Sequence, residues 1–522
     1  MMVDAKNRLQ WLSLLLMLSA SGLAAQQPAP RSLSLDEALE LAIPASDNVA
    51  LALADIRRAE GEVKRVRADL LPQLTGTASY TRTLKSQFNV GTGKVDTTAT
   101  NFCNRFTANP GNTIGERVDS LERTVECLSS LNPFAALGDL PFGRKNQYNF
   151  GLSFSQTLFN SAIIKGRPRA AVAGRRVARL GVTAAEAQAR LDVTEAYFDA
   201  VLSDRLVAIA ELSLTQAETT LVETRLARQV GTKPEFDLLR AAVTRDNQRA
   251  TVLQQRSQRT LSYLRLNQLL GLPLADQVTL TTTLDEVPAS GAQADSSQVT
   301  ESDTAVSQRT AVQQAEEAVT IQDVLTSVTR WDRLPTVTLK STFARIGYPD
   351  NGLPWNADFL SDWTIGVNVS VPLWTSGRLT GNTWVAEASL QQARVRASQA
   401  RDGAALDARQ AIERLETALA TWAGNQGTVE QAERAYQIAT IRYQEGISTQ
   451  TELTDARLSL EQAEGNRATA ARDVRVARAR LRLLRDLPLA GIDVGTTLSN
   501  AATGLTNTQQ SSGTSGTNGS TP

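Results

Sequence analysis

Tyr148-Asn149-Phe150-Gly151-Leu152-Ser153-Phe154-Ser155-Gln156-Thr157-Leu158-Phe159 and Trp363-Thr364-Ile365-Gly366-Val367-Asn368-Val369-Ser370-Val371-Pro372-Leu373-Trp374 are one stretch written twice, 215 positions apart (374 − 159). The same shift, without a gap, carries Asp192 onto Asp407, Gly231 onto Gly446 and Leu272-Pro273-Leu274-Ala275 onto Leu487-Pro488-Leu489-Ala490. Identity is low, but landmarks that stay in step from Gln147 to Ala275 mark an internal duplication. In both copies nearly every second residue is apolar, which is a strand pattern. The intervening positions are small and mostly polar, Asn149, Gly151, Ser153, Ser155 and Thr157 in one copy, Thr364, Gly366, Asn368 and Ser370 in the other. A soluble sandwich would also alternate. A small, neutral polar face with Tyr, Phe and Trp near the strand ends favours the wall of a membrane barrel around water, and 10 to 12 tilted residues would match its thickness.

Upstream, a helical pattern from Leu33 to Asp69 opens on a capping box, Ser34 with Glu37, and is interrupted by Pro44. It stops at Leu71-Pro72. Alternation then resumes with Leu74, Ala78 and Tyr80 on one face and Thr75, Thr77, Ser79, Thr81 and Thr83 on the other. Leu334-Pro335, followed by Val337, Leu339 and Phe343, is the second version of that junction, 263 positions on (335 − 72). The first copy thus carries 48 extra residues (263 − 215) between its two strands, within a loop over 85–146 that is rich in Gly, Asn, Thr and Pro. Cys103 and Cys127, the two cysteines of the chain, both fall there. In an exported protein they read as a disulfide stapling the loop, the alternative being two unpaired thiols.

Each return strand leads into a helix of unusual length, Ser161 to Val230 and Arg378 to Glu445, and each helix into a partner, Pro234 to Leu270 and Thr449 to Leu484. At 1.5 Å per residue the longer ones approach about 100 Å. Ala405, Ala408, Ile412, Leu415, Leu419 and Trp422 step by 3 and 4, as do Leu453, Ala456, Leu460, Ala463, Ala470, Val474, Ala477, Leu481 and Leu484, with Arg467 the one break. Taken alone, the helices would suit an ordinary coiled coil or bundle. The strands are what that reading leaves unexplained.

The remaining segments set the address. Residues 1–25 have the form of a secretory signal peptide: Lys6 and Arg8, an apolar run from Trp11 to Leu18, then small residues to a cleavage point after Ala24 or Ala25. The alternative is a membrane anchor. The first repeat spans 33–275, a polar linker 276–300, the second repeat 301–490, and a Thr/Ser/Asn/Gly tail expected to be disordered 491–522. Lys+Arg and Asp+Glu both number 54, so no basic field exists to gather nucleic acid.

There is no histidine, which removes Ser-His-Asp and Cys-His nucleophilic sites and His-bearing zinc sites together. No phosphate-binding loop or dinucleotide fingerprint sits between a strand and a helix. The expectation is a protein that is not an enzyme and has no cofactor or metal. Its notable polar cluster is at the helical turns: Gly231 and Gly446, then Asp237 and Glu452 six residues on, Asp455 one turn later, and Tyr443 just before the second turn. A solvated hairpin with a Gly C-cap and acids favouring the helix dipole would look the same. In a symmetric ring, the acids would be repeated around one opening.

Over about Leu33 to Pro488 the chain resembles the TolC-type outer-membrane efflux protein family. The resemblance is carried by the two Leu-Pro junctions, by Val371-Pro372-Leu373-Trp374-Thr375-Ser376-Gly377-Arg378, and by Arg442-Tyr443-Gln444-Glu445-Gly446 with Glu452-Leu453 and Asp455. It implies an α plus membrane-β fold of two tandem repeats, trimerising into a 12-stranded barrel continuous with a periplasmic α-helical barrel. The location would be the outer membrane of a Gram-negative bacterium, reaching into the periplasm, with outer-membrane lipid around the barrel. The homotrimer would serve as exit duct of a tripartite efflux or type I secretion system, with a periplasmic adaptor protein and an inner-membrane transporter as partners. Asp237, Tyr443, Glu452 and Asp455 would form the periplasmic gate, while Ser448 stands where some members have an arginine that ties the tips together. The alternative class is a periplasmic adaptor or coiled-coil scaffold, which would keep compact β domains apart from one hairpin.

Overall fold

The computed structural model describes residues 31–85, 110–130, 145–160, 162–284, 305–349, 352–356 and 358–489. The signal segment 1–25, Cys103, most of the linker and the tail 491–522 lie outside the described residues. The chain forms two compact units, a sheet unit of Arg65–Gly166 and Val328–Leu379 and a helical unit made of the rest.

In the sheet unit the four alternating segments are strands: β2 (Gln73–Arg82), β3 (Asn146–Phe159), β5 (Thr336–Gly347) and β6 (Phe359–Ser370). They pair antiparallel in the order β2-β3-β5-β6. Register sorts the side chains, because directly opposed residues share a face. Leu74 opposes Phe154 and Ala78 opposes Phe150, Leu152 opposes Phe343, and Phe343 opposes Trp363 while Leu339 opposes Val367. One face is therefore largely apolar across all four strands, with Ser341, Arg345 and Ser361 among its polar exceptions. The other carries Thr75 against Ser153, Ser153 against Thr342, and Thr342 against Thr364. The apolar face is open: Trp363 is 75% exposed and Ile365 74%. Aromatic rings cluster at one end, with Tyr80 and Tyr148 at 4.8 Å between centroids and Phe150 and Phe359 at 5.7 Å. Nearby, the Tyr148 hydroxyl donates to the Gly352 carbonyl at 2.8 Å.

The β2–β3 connection differs from a plain loop. It contains a 17-residue helix, Ile114–Ser130, in which Cys127 is disulfide-bonded. The Gly and Asn residues that flank it in the sequence hide its period; the helix opens where Thr113 N–H and hydroxyl both donate to Glu116 Oε2 at 3.0 Å, a capping arrangement.

In the helical unit, β1 (Arg31–Leu33) precedes α1 (Leu35–Ala45), whose capping box is present: Ser34 N–H donates to Glu37 Oε2 at 2.9 Å, and Glu37 N–H to Ser34 Oγ at 3.3 Å. The expected interruption at Pro44 divides the helical stretch in two. Pro44 lacks the N–H that would continue the ladder, Ser46 is extended (φ −76, ψ 117), and α2 (Asp47–Ala68) restarts behind it. The loop helix is α3. A π-turn at Ala162–Gly166 leads into α4 (Arg167–Gln229), then α5 (Glu235–Leu269). Within the expected linker, β4 (Val278–Leu280) pairs parallel with β1. Three residues are too few to show a period. The second repeat supplies α6 (Thr310–Trp331), α7 (Arg378–Gln444) and α8 (Gln450–Leu483).

The main core gathers Leu33, Ala38, Ala42, Val193, Tyr197, Leu266 and Val474. Tyr197, fully buried, donates its hydroxyl to the Leu33 carbonyl at 3.0 Å and so ties the small parallel pair to α4. The seam of α7 differs by one position in places from the stepped reading: Ala404, Ala408, Ala411 and Leu415 are buried, whereas Ala405 is exposed and Ile412 is 38% exposed. Alanine on several faces gives the period little contrast. In α8, Leu453, Ala463, Ala470, Val474, Leu481 and Leu484 are buried as expected, but Arg457 and Arg478 are buried too, so Arg467 is not the only polar interruption.

Candidate functional site

The site lies where α4 turns into α5 and α7 into α8. Both turns have the same backbone. Gly231 (φ 80) follows α4 and Gly446 (φ 74) follows α7, in the left-handed region that glycine alone occupies cheaply. Gly231 N–H donates to Arg228 O at 3.0 Å and Thr232 N–H to Ala227 O at 2.9 Å; Gly446 N–H donates to Tyr443 O at 3.1 Å and Ile447 N–H to Arg442 O at 2.9 Å. These are two Schellman caps in the duplicated register.

The two hairpins meet. Tyr443 is 5% exposed and its hydroxyl lies 3.0 Å from Thr224 Oγ1, which is 1% exposed. Because Thr224 gives its own proton to the Thr220 carbonyl at 2.7 Å, Tyr443 is the donor. Lys233 Nζ stands 3.3 Å over the centre of the Tyr443 ring, a cation–π contact. Buried Gln450 turns its amide nitrogen to the Asp237 carbonyl oxygen at 2.9 Å and its amide oxygen to the Ala241 N–H at 3.1 Å. Arg240 of α5 bonds the Thr451 hydroxyl of α8. At the first turn itself Arg228 pairs with Glu235 at 3.2 Å.

The expected acids take their places around this contact. Asp237 lies in the first turn of α5 and Glu452 in that of α8, which favours their charge by the helix dipole. Glu452 N–H also donates to the N-cap Thr449 Oγ1 at 3.4 Å. Asp455 is exposed one turn on. Among the described residues no ion pair engages Asp237, Glu452 or Asp455, while Ser448 Oγ is buried without a hydrogen-bond partner.

Two turns deeper is a network that sequence reasoning missed. Arg457 donates to the Ser213 carbonyl at 2.8 Å and to Ser213 Oγ at 2.9 Å. Ser213 Oγ donates to Glu461 Oε2 at 2.8 Å, and Gln248 Nε2 reaches Glu461 Oε1 at 3.0 Å. Burial pushes the Arg457 guanidinium below its ordinary range, and Glu461 acts against that shift. Three helices, α4, α5 and α8, are pinned through one buried cation and one carboxylate. The available signal was an arginine four residues after Leu453, on the face where the seam wants an apolar side chain.

No helix among the described residues is long and apolar enough to cross a membrane, and no cluster of ligating side chains among them could hold a metal ion. A four-stranded sheet with a largely apolar, exposed face is spliced between helices of more than 60 residues that end in paired glycine turns. Residues 133–272 and 301–485, more than half of the chain, match the outer membrane efflux protein family, and the chain belongs to it. No curated protein matches the chain by sequence. By structure it is similar to the CmeC outer membrane channel of Campylobacter jejuni (17% identity, TM-score 0.65, 90% of this chain and 89% of that one). It is also similar to VceC of Vibrio cholerae (19%, 0.61, 86% and 95%) and to the open state of MtrE of Neisseria gonorrhoeae (18%, 0.62, 87% and 89%). The TolC-type resemblance thus holds: this is an outer-membrane efflux protein, and not an enzyme.

Proposed function

We propose that three copies close their sheets into one 12-stranded barrel and that the assembly is the passive exit duct of a tripartite efflux or type I secretion system. The observation that carries this reading is the sheet with two free edges, β2 and β6, and an apolar face left bare. In lipid every backbone donor and acceptor must be satisfied, and only closure does so. The helical tips then form the periplasmic gate. Tyr443 and Thr224 hold neighbouring hairpins together, Asp237, Glu452 and Asp455 line the opening, and a periplasmic adaptor and inner-membrane transporter dock there. Cys127 pairs with Cys103 to staple the outer loop.

Strands spliced between long helices speak against a separate adaptor or scaffold, which would carry its β domains apart. The test is fractionation followed by planar bilayers. Heat-resistant trimers are expected in the outer-membrane fraction, with conductance whose cation selectivity falls in Glu452→Ala/Asp455→Ala. A monomer soluble without detergent overturns the channel reading, and unchanged selectivity overturns the acidic ring.

A further inference from the structure

Helix α3 has a face that nothing described in its own chain covers. Ile114, Val118, Leu121 and Val125 follow one another at steps of 4, 3 and 4, the d-a-d-a spacing of a coiled-coil seam. All four are exposed, from 46% for Leu121 to 80% for Ile114. The less exposed side chains described on this helix are Thr124 and disulfide-bonded Cys127. At about 100° per residue, Cys127 points away from the seam. The seam and the disulfide-bonded Cys127 therefore lie on opposite sides of α3.

The flanks identify the occupant. With Val118 at a and Leu121 at d, Arg117 falls at g and Glu122 at the following e. In a parallel, in-register coiled coil the g residue of one helix meets the e residue five positions on in its neighbour. Arg117 of one copy thus meets Glu122 of the next. Within one copy the two lie on opposite flanks, and neither forms an ion pair among the described residues. Helices that run along a shared rotation axis are parallel and in register by symmetry. An anionic lipid surface is the poorer partner, because Glu116, Asp119, Glu122 and Glu126 outnumber Arg117 and Arg123 on this helix.

We infer that the α3 helices of the three copies pack on one another as a parallel coiled coil across the outer mouth of the duct and narrow it. This rests on the trimeric barrel reading. Two heptads are too short to associate alone; the barrel supplies the effective concentration that lets them.

The experiment uses full-length protein extracted from membranes, with photoreactive benzoylphenylalanine in place of Leu121 or, on the opposite side, of Arg123. Irradiation should join chains covalently from position 121 and not from 123. The product should be lost on adding Arg117→Glu and regained on adding Glu122→Arg as well. Intact trimers whose position 121 captures only its own chain or lipopolysaccharide overturn this inference alone. Absence of trimers in the unaltered protein overturns the assembly reading and this inference together.

Discussion

The two helical turns are copies of one design that have taken different work. Their backbones agree cap for cap, yet Arg228 of the first stands where the second has Tyr443, and Pro234 offers no side-chain cap where Thr449 does. Arg228 stays at the surface in an ion pair, while Tyr443 is driven into the neighbouring hairpin. The deeper network repeats the lesson: Arg457 corresponds to Ala242, Gln248 to Ala463, and Ser213 to Thr428 under the 215-residue shift (374 − 159). Duplication kept the turn, whose glycine the backbone requires, and released the side chains to make the second copy the anchor.

The sharpest way to break this comparison is to truncate both equivalent residues. Tyr443→Ala removes a buried ring and should cost about 3 kcal/mol, whereas Arg228→Ala removes an exposed pair and should cost less than about 0.5 kcal/mol. Thermal unfolding of the detergent-extracted assembly measures both, and equal losses would erase the distinction. Arg457→Ala writes the first-copy residue into the second. It removes the donor shared by the Ser213 carbonyl and hydroxyl and the cation beside partly buried Glu461, and about 2 kcal/mol should be lost. The same change should raise single-channel conductance if the network keeps the hairpins together. Tyr443→Phe keeps the ring and its contact with Lys233 but strands Thr224 Oγ1; about 1 kcal/mol should go.

The smallest effect concerns pH. Burial raises the Glu195 carboxyl above its ordinary range, Arg472 opposes this, and Asp192 and Asp199 add to it. Glu195 therefore binds its proton more tightly folded than unfolded. Its contribution is full below the ordinary carboxylate range and is lost as pH rises through the raised value. The second copy has Gln410 at the equivalent position. Glu195→Gln should remove that loss and stabilise the protein near neutrality by less than about 1 kcal/mol, given the partly buried, still water-accessible site; unfolding midpoints between about pH 4 and pH 8 would show a flatter profile.

Legibility followed contrast. Trp363 to Leu373 could be read because alternation between large apolar and small polar residues is strong, and Gly231 and Gly446 because a positive φ leaves one residue type. The seam of α7 slipped between Ala404 and Ala405 where neighbours are alike. Helix α3 was hidden by the Gly, Asn and Pro around it, and β1 and β4 by being three residues long. Tyr443 stood out in the chain, but Thr224 did not. They are 219 positions apart, and a lone threonine on a long helix shows nothing until the fold brings it to its partner.

The bare borders of the sheet have one more consequence. Joining β2 of one copy to β6 of the next is a head-to-tail contact, and such contacts either close on themselves or run on as a filament. A chain that meets its siblings before the bilayer constrains their angle would polymerise. Under the proposed closure, overproduction away from the membrane should therefore yield fibrous aggregates.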